Sequence, residues 1–454
     1  MFIVFNSTNY FVPRCFLRRT YHKLIKYQQN IPMPHSRDDP VITKLNDPLF
    51  HSLFTPELKI LSELFKKRNY EIRIAGGAVR DILMGIKPTD LDFATEATPD
   101  EMKDMFNEEN IRMINNKGEK HGTITARIND KENFEVTTLR IDKITDGRRA
   151  EVEFIKNWKL DSLRRDFTVN SMFLDLEGKL YDHFFGYDDL QKRQIVFVGN
   201  PVNRIQEDYL RIFRYFRFYG RIAEQPDAHR EEAIEAIKKN VHGLEQISGE
   251  RIWSEWTKIL SGNYAKEVTL KMLECGVGSY AGLPEEPNIE NFKTVYDACK
   301  QNNVTLNPIS YLALMLKNED EAFNLHKRLK LSSFERDLAI FLTSSNKYKP
   351  SENLKNYESI FIHWKGNKTN CKVYICELLK CKQLFDLAEQ FDKVIIPRFP
   401  ISGHTLRQNI KNGKKIGMVL KELKDIWLDS NFKMTEEKLL QEVPRIIGEI
   451  EDKE

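Results

Sequence analysis

Long apolar runs and paired cysteines are both missing from this sequence of 454 residues. No stretch approaches the roughly 18 consecutive apolar residues that a membrane-spanning helix requires, so we predict that the chain does not cross a membrane. The six cysteines form no Cys-x-x-Cys pair and have no histidine at zinc-finger spacing. This pattern argues against a structural zinc site and favours reduced thiols in an intracellular protein.

A large excess of positive charge is absent as well. The formal net charge is +3, which argues against a surface covered with phosphate-binding groups and allows only a local basic track. The apolar fraction of 41% and the charged fraction of 30% are typical of a globular chain. A chain of this length predicts about two to four domains.

The first 37 residues contain no acidic side chain. Between their aromatic and aliphatic residues they carry a series of basic ones: Arg14, Arg18, Arg19, Lys23 and Lys26. That composition is typical of a mitochondrial presequence, and a disordered basic tail is the alternative. Met33 lies just before the end of this segment, so initiation there would give a second, untargeted product in the cytosol or nucleus.

The two halves of the chain differ in their apolar periodicity. Up to about residue 186, β-rich runs such as Tyr70–Ala75 and Asn133–Leu139 alternate with helical stretches, which predicts an α+β domain with one twisted sheet. Beyond residue 188, apolar residues recur with the 3.6-residue period of helices, as in Ile205–Arg221. We therefore predict that the remainder is all-helical.

A glycine pair follows the first of these predicted strands. Gly76 and Gly77 precede a helical pattern, so backbone N–H groups could approach a phosphate there, with Arg80 as a charged donor. A glycine pair at such a position is also ordinary turn chemistry, and the motif alone decides little.

Three acids lie close to this turn in the predicted sheet. If Asp90 and Asp92 belong to a strand, its period of two directs both carboxylates to one face, and Glu135 of the later strand offers a third. Adjacent carboxylates repel, and a divalent cation that bridges them removes the repulsion. Two such ions serve phosphoryl transfer to a hydroxyl. A solvated turn is the alternative for the pair alone, but the Gly-Gly-x-x-Arg-Asp sequence upstream favours a metal site.

Two arginines, Arg164 and Arg165, have the fork geometry that grips phosphate oxygens, which suits a triphosphate or ribose contact. A surface ion pair with Asp161 or Asp166 is the alternative.

The segment from Glu207 to Arg221 combines an acid with a basic stripe. On one helix Asp208 and Arg211 would lie one turn apart and face one ligand, with Arg214 and Arg217 continuing the stripe. An i,i+3 salt bridge on a solvated helix is the alternative.

These motifs together resemble those of the DNA-polymerase-β-like nucleotidyltransferases, specifically the class II tRNA CCA-adding enzymes and their relatives, the bacterial poly(A) polymerases. The resemblance covers roughly residues 48–260. Besides the motifs above, it includes a flexible-loop motif with Asp142, Gly147 and Arg148 in a polar connection. The C-terminal part agrees only in being helical.

The resemblance implies a polymerase-β-like catalytic head followed by a helical neck that selects the nucleotide, a helical body and a helical tail that binds tRNA. We place these at residues 48–186, 187–262, 263–345 and 346–454, after a targeting segment at 1–37. In the tail, the basic stretch at residues 403–417 is either a solvated face or a surface for the tRNA elbow.

The implied activity is the template-independent addition of C, C and A to the 3′ end of tRNA. The implied catalytic acids are Asp90, Asp92 and Glu135, with Mg²⁺ held by the two aspartates. The residues that the resemblance implies as nucleotide contacts are Gly77, Arg80, Arg164, Arg165, Asp208, Arg211, Arg214 and Arg217. Expected partners are CTP, ATP and the acceptor stem and elbow of tRNA, for a monomer or homodimer. The alternatives are a poly(A) polymerase and a catalytically inactive RNA-binding relative.

Overall fold

The computed structural model describes residues 34–114, 116–145, 150–345, 351–407 and 410–451. The chain divides into two compact units, residues 1–208 and 209–454. Residues 1–33 of the predicted targeting segment, Met33 among them, lie outside the described residues, as do Gly147 and Arg148 of the predicted loop. Within the described ranges, no helix is long and apolar enough to cross a membrane.

The first unit is built on strands whose bounds are β1 Val41–Lys44, β2 Ile72–Ala75, β3 Asp92–Thr95, β4 Arg112–Ile114, β5 Thr123–Ile128, β6 Glu132–Thr138, β7 Arg140–Thr145, β8 Ala150–Phe154, β9 Phe173–Asp175 and β10 Lys179–Tyr181. Eight of them form one mixed sheet in the order β1-β10-β9-β2-β3-β6-β5-β4. Strands β7 and β8 form a separate antiparallel hairpin. The predicted α+β head is confirmed, and its sheet already begins at β1, before residue 48.

The helices of the first unit cover the sheet and connect its strands. Their bounds are α1 Pro48–His51, α2 Pro56–Lys67, α3 Gly77–Leu83, α4 Pro99–Glu108, α5 Trp158–Leu163, α6 Gly186–Gln191 and α7 Pro201–Glu207. Local sequence fixes several starts: Thr98 caps α4 in a capping box with Glu101, and Pro99 follows at the first helical position.

Strand β6 shows how side-chain alternation sets the sheet. Phe134 and Val136 are buried on one face, while Asn133 and Glu135 are exposed on the other. This is the period of two that the sequence predicts for a strand with one buried face.

Residues 34–37, the end of the predicted targeting segment, belong to the folded first unit. The backbone N–H of Arg37 donates to the His183 carbonyl at 3.0 Å, and its guanidinium forms ion pairs with Asp182 and Asp188.

The second unit is helical in its described part, as predicted. Its helices are α8 Arg211–Ile222, α9 Glu231–Asn240, α10 Gly249–Leu260, α11 Ala265–Glu274, α12 Val277–Tyr280, α13 Ile289–Gln301, α14 Pro308–Ala313, α15 Glu319–Leu329, α16 Ser333–Ser344, α17 Leu354–His363, α18 Lys368–Cys381, α19 Phe385–Lys393, α20 Gly403–Arg407, α21 Gly413–Asp429 and α22 Glu436–Glu451. An apolar cluster that includes Leu406, Leu423, Trp427 and Leu439 packs α20, α21 and α22 together.

One buried carboxylate joins two distant segments of this unit. Glu377 of α18, with its side chain 5% exposed, accepts from the Asn307 backbone at 2.8 Å and from the Ser310 hydroxyl at 2.6 Å, and pairs with Lys380 at 3.0 Å. We expect Glu377→Ala to lower the free energy of unfolding by about 2–4 kcal/mol, because it leaves buried donors unpaired. Urea denaturation monitored by circular dichroism measures this loss.

The matched control is Glu389→Ala, which removes an exposed carboxylate paired with the exposed Lys393. We expect almost no change there, because exposed ion pairs contribute little. Equal losses for the two variants would contradict the role of burial.

Candidate active site

Asp92 and Glu135 lie side by side at the open face of the sheet. Strand β3 runs parallel to β6, with Asp92 in register with Glu135 and Phe93 in register with Val136. Both acids are exposed, while Phe93 and Val136 are buried on the opposite face. Since neighbouring strands are about 4.8 Å apart, the backbone brings these two acids to adjacent positions, as the sequence predicts.

Asp90 reaches the same region from a bend rather than from a strand, which corrects one expectation. Strand β3 begins only at Asp92, although the sequence pattern favoured a strand through both aspartates. The reason lies in the partner strand: β2 ends at Ala75, and the chain turns away at Gly76, so no antiparallel partner continues opposite Asp90. Both aspartates line one cleft, but strand periodicity is not what places Asp90 there.

A cleft of about 800 Å³ opens over these acids. Its walls include Asp90, Asp92 and Glu135, together with Thr125 of β5 and Lys131 of the β5–β6 turn. Burial among the cleft walls raises the pKa of Asp92, and the negative charge of Asp90 raises it further, while the Arg165 guanidinium opposes both. Asp92 remains open to solvent, but protein atoms displace part of its hydration.

The donor set suits a hard divalent cation. Carboxylate oxygens are the ligands that Mg²⁺ prefers. After burial, the charge of Asp90 is the second cause of the raised pKa of Asp92, and a cation between the two carboxylates would relieve that repulsion. Within the ranges that the structure describes, no group of three His, Cys, Asp or Glu side chains is gathered closely enough to hold a metal ion. The structure thus presents an aspartate pair with Glu135 beside it, not an assembled three-acid site.

The predicted glycine turn is present beside this cleft. Gly76, with φ of 65°, connects β2 to α3, which begins at Gly77. A Cβ on Gly76 would lie 3.0 Å from Nη1 of Arg165, so the absent side chain leaves room for that guanidinium. The glycine turn at Gly76 therefore lies next to the guanidinium of Arg165.

Arg80 is buried rather than presented at the turn. Its guanidinium donates to the Asn170 side chain at 2.7 Å and to Asp81 at 2.9 Å, and it is 3% exposed. It joins the glycine turn to the segment after Arg165, which indicates a supporting role for the turn. A direct nucleotide contact by Arg80 stays a prediction.

Arg164 and Arg165 share one carboxylate, that of Asp161, although the alternative predicted from the sequence was an ion pair at the surface. Arg164 Nε lies 2.8 Å and Arg165 Nη2 lies 3.1 Å from the oxygens of Asp161. Asp161 is 1% exposed, so this is a buried triad and not a surface pair. Burial alone would raise the pKa of Asp161, but the two guanidinium groups hold it below its ordinary value. Asp161 thus holds both guanidinium groups in place, and that of Arg165 acts electrostatically on Asp92.

Asp142, predicted in a flexible loop, lies instead in strand β7, with its carboxylate 3.8 Å from Arg140 Nε. Pairing with β8 explains the difference: Asp142 is opposite Val152 in the hairpin. The polar composition of this stretch predicted a loop, so the strand was not recognised from the sequence.

The nucleotide-selecting segment is interrupted, which corrects the prediction of one continuous helix. Helix α7 ends at Glu207, Asp208 is extended with φ of −153° and ψ of 105°, and α8 begins at Arg211. The aromatic ring of Tyr209 lies so close to Gly243 that a Cβ on Gly243 would be 2.0 Å from it. This tertiary packing outweighs local helix propensity. Asp208 and Arg211 consequently do not share a helix face.

Arg214 and Arg217 lie on α8, as predicted, and their guanidinium groups are 5.3 and 4.3 Å from the ring centroid of Phe218. Arg217 also donates to Glu255 of α10 at 2.9 Å. Glu255 is 6% exposed, and the sequence reasoning missed it. The available signal was an acid among the apolar positions of α10, next to Trp256.

The close approach at Gly76 gives a testable consequence. We expect Gly76→Ala to lower the free energy of unfolding by about 1–2 kcal/mol, because a side chain at positive φ is strained and Arg165 must shift. Displacement of Arg165 should also reduce kcat/KM for nucleotide incorporation.

Gly85→Ala is the matched control, since Gly85 has φ of 73° and nothing within 4 Å of its would-be Cβ. It should lose stability through backbone strain and keep its activity. Equal losses of activity in both variants would show that the space for Arg165 is unimportant.

Comparison with known proteins places this site in a family. Residues 72–196 match the model of the poly(A) polymerase head domain, and residues 230–281 match that of a probable RNA- and SrmB-binding site of polymerase A. The chain is 48% identical over 408 residues to CCA tRNA nucleotidyltransferase 1, mitochondrial, of Mus musculus, covering 88% of this chain and 93% of the mouse protein. The Homo sapiens protein of the same name is 47% identical over the same shares.

Solved structures share the fold. The Bacillus stearothermophilus CCA-adding enzyme in complex with CTP has a TM-score of 0.67 at 22% identity, covering 90% of this chain and all of that one. The Thermotoga maritima CCA-adding enzyme complexed with tRNA has a TM-score of 0.61 at 21% identity, covering 89% and 100%. By its extended identity to the mouse and human proteins, the chain belongs to the CCA tRNA nucleotidyltransferase family, with a head domain of the poly(A) polymerase type.

Proposed function

We propose that this enzyme adds C, C and A to the 3′ end of tRNA from CTP and ATP, releasing pyrophosphate. The observation that carries the proposal is the register of Asp92 with Glu135 beside Asp90, in a chain 48% identical to a named CCA tRNA nucleotidyltransferase. The similar bacterial CCA-adding enzymes, whose structures contain CTP in one case and tRNA in the other, support the same substrates.

In this proposal Asp90 and Asp92 hold a divalent cation, for which we propose Mg²⁺. When bound, Mg²⁺ supplies positive charge that favours the ionised 3′-hydroxyl and the departing pyrophosphate. Glu135, adjacent to Asp92 across the strand pair, orients the attacking end of the RNA. Arg165, positioned by Asp161 and by the space over Gly76, attracts the triphosphate toward the cleft.

Base selection is assigned to Asp208 and Arg211 on chemical grounds. A carboxylate accepts from an exocyclic amino group, and a guanidinium donates to a ring nitrogen. Cytosine and adenine both present this pair of groups on the Watson–Crick edge, whereas guanine and uracil present a carbonyl beside an N–H. A wrong base would leave buried donors facing donors, so no nucleic-acid template is needed. We propose that Gly77, Arg80, Arg164, Arg214 and Arg217 also contact the nucleotide, and that Gly147 and Arg148 belong to a flexible loop.

Further proposals concern location and assembly. We propose that the targeting segment at residues 1–37 directs the chain to mitochondria, since the similar mouse and human proteins are named as mitochondrial, and that initiation at Met33 gives a cytosolic or nuclear form. Either a cut before residue 34 or initiation at Met33 keeps Arg37 and its ion pairs with Asp182 and Asp188. We also propose the neck, body and tail at residues 187–262, 263–345 and 346–454, in a monomer or homodimer.

The test is incorporation into a tRNA transcript that ends before its C-C-A. Each NTP is supplied singly and in pairs, and the products are sequenced. We expect two C residues from CTP alone, a following A only when ATP is also present, and nothing from UTP or GTP. Incorporation of A alone in a growing tail would establish a poly(A) polymerase instead, and no incorporation would indicate an inactive RNA-binding relative.

A further inference from the structure

A second cleft, of about 750 Å³, lies within the C-terminal helices. Aromatic and apolar side chains line much of it, and they come from the end of α17, from the connection before α20 and from α21: Phe361, Ile362, Trp364, Ile396, Phe399 and Trp427. Phe399 meets the buried Trp427 edge-on at 5.3 Å between ring centroids. The wall of the cleft is thus an aromatic surface that is partly exposed and packs on the buried ring of Trp427.

The charged groups lining this cleft all have one sign. Lys368, Arg398 and Lys424 contribute to its walls, and among the residues that the structure describes no aspartate or glutamate does. The ammonium groups of Lys368 and Lys424 both donate to the carbonyl oxygen of Ile362, at 3.1 and 3.2 Å, so two like charges meet at one atom. The neighbouring carboxylate of Asp425 is bonded to His363 at 2.8 Å.

Cation pairing at the carbonyl end of a helix is favourable, but the two lysines repel each other there. Burial lowers the pKa of both side chains. Cys371 opposes this effect on Lys368 and the charge of Lys424 adds to it, while the charge of Lys365 adds to the effect on Lys424 and that of Asp425 opposes it. An anion at the mouth of the cleft would relieve this repulsion. Arg398, exposed on the same wall, extends the positive charge outward.

Aromatic faces beside cations, with no acid among them, are the combination that binds an unstacked nucleotide. The base stacks on a ring while the phosphates meet the basic groups. Helix α21 carries Lys414 near its start and Lys424 and Trp427 near its end, so the basic stretch at residues 403–417 and the cleft share this helix.

We propose that this cleft receives an unstacked nucleotide from a loop of the bound tRNA, away from the reacting 3′ end. This inference rests on the proposed function, which supplies tRNA as the bound RNA. It adds that a loop nucleotide is bound and names the residues that bind it. Recognition of a splayed-out loop base would let the enzyme distinguish a folded tRNA from a bare acceptor helix.

The first test compares Arg398→Ala with Lys438→Ala, an exposed lysine on α22 outside the cleft, so that each variant loses one positive charge. We expect Arg398→Ala to weaken binding of tRNA about fivefold and to reduce the salt dependence of binding by roughly one ion. In Arg398→Ala, KM should rise about fivefold for tRNA but stay unchanged for an acceptor-stem duplex without loops. Lys438→Ala should change none of these values. Equal effects of the two variants, or equal effects on the two RNAs, would overturn the proposal.

The second test locates the base directly. Ultraviolet cross-linking of the wild-type protein to tRNA, followed by mass spectrometry of the peptides, should place an adduct on residues 396–402 or on Trp364. Adducts confined to other peptides would show that no base enters the cleft. Cross-linking does not depend on catalysis, so a wild-type enzyme that extended neither RNA would refute the proposed function separately.

Discussion

Asp92→Ala should reduce kcat for CTP incorporation by about 10³-fold or more, which corresponds to about 4 kcal/mol of lost transition-state stabilisation. Asp92 begins β3 at the open face, in register with Glu135 and within the electrostatic influence of Asp90. Its removal leaves one carboxylate where the proposal requires two. Single-turnover kinetics with saturating CTP and a tRNA transcript that lacks C-C-A measures the effect on chemistry.

Asp104→Ala is the control for this experiment, since Asp104 is an exposed acid of α4 outside the cleft. It should retain the wild-type rate. Retention of more than a tenth of the rate by Asp92→Ala would show that the transferring site lies elsewhere.

The pH dependence of stability tests separately whether a variant without the Asp92 carboxylate folds. The pKa of Asp92 is raised in the folded protein, so its ionisation destabilises the fold above that pKa, while below the unfolded pKa the effect is absent. In the presence of a chelator, Asp92→Asn should therefore be at least as stable as the wild type at neutral pH. The difference should shrink as the pH falls.

Asp208→Ala should have the second-largest effect, on nucleotide choice. We expect kcat/KM for CTP and ATP to fall about 100-fold and the discrimination against UTP and GTP to be largely lost, because the acceptor for the exocyclic amino group is gone. Arg211→Ala should give a similar loss, since the donor to the ring nitrogen is then missing. Competition assays with all four NTPs and sequencing of the products measure both quantities.

Asp227→Ala, an exposed carboxylate beyond α8, is the matched control and should preserve the order C, C, A. If Asp208→Ala lowered incorporation of all four nucleotides in the same proportion, its role would be structural and the assignment of base selection to this residue would be wrong.

The sheet around the acids was predictable because its signals are local. Alternation along β6 placed Phe134 and Val136 inside and Glu135 outside, and two glycines after Ala75 marked the turn into α3. The sequence motifs likewise grouped the acids with Arg165, and the structure brings that guanidinium to Gly76 and into the electrostatic environment of Asp92.

The remaining features depend on tertiary contacts that periodicity cannot show. The ring of Tyr209 against Gly243 accompanies the break before α8, although apolar spacing favoured one helix from Ile205 to Arg221. Burial of Arg80 against Asn170 joins residues 90 positions apart, so a side chain expected to face a phosphate supports the turn instead. Strand β7 was missed because its pairing with β8, and not its polar composition, defines it.

Binding of Mn²⁺ is the most direct measurement of the central claim, that Asp90 and Asp92 hold the cation used for nucleotidyl transfer. Electron paramagnetic resonance titrations of the wild type and of Asp92→Asn, each with CTP present, count the bound ions. We predict that the wild type binds Mn²⁺ and that the variant loses this binding while remaining folded. Equal Mn²⁺ binding by the two proteins would contradict the account.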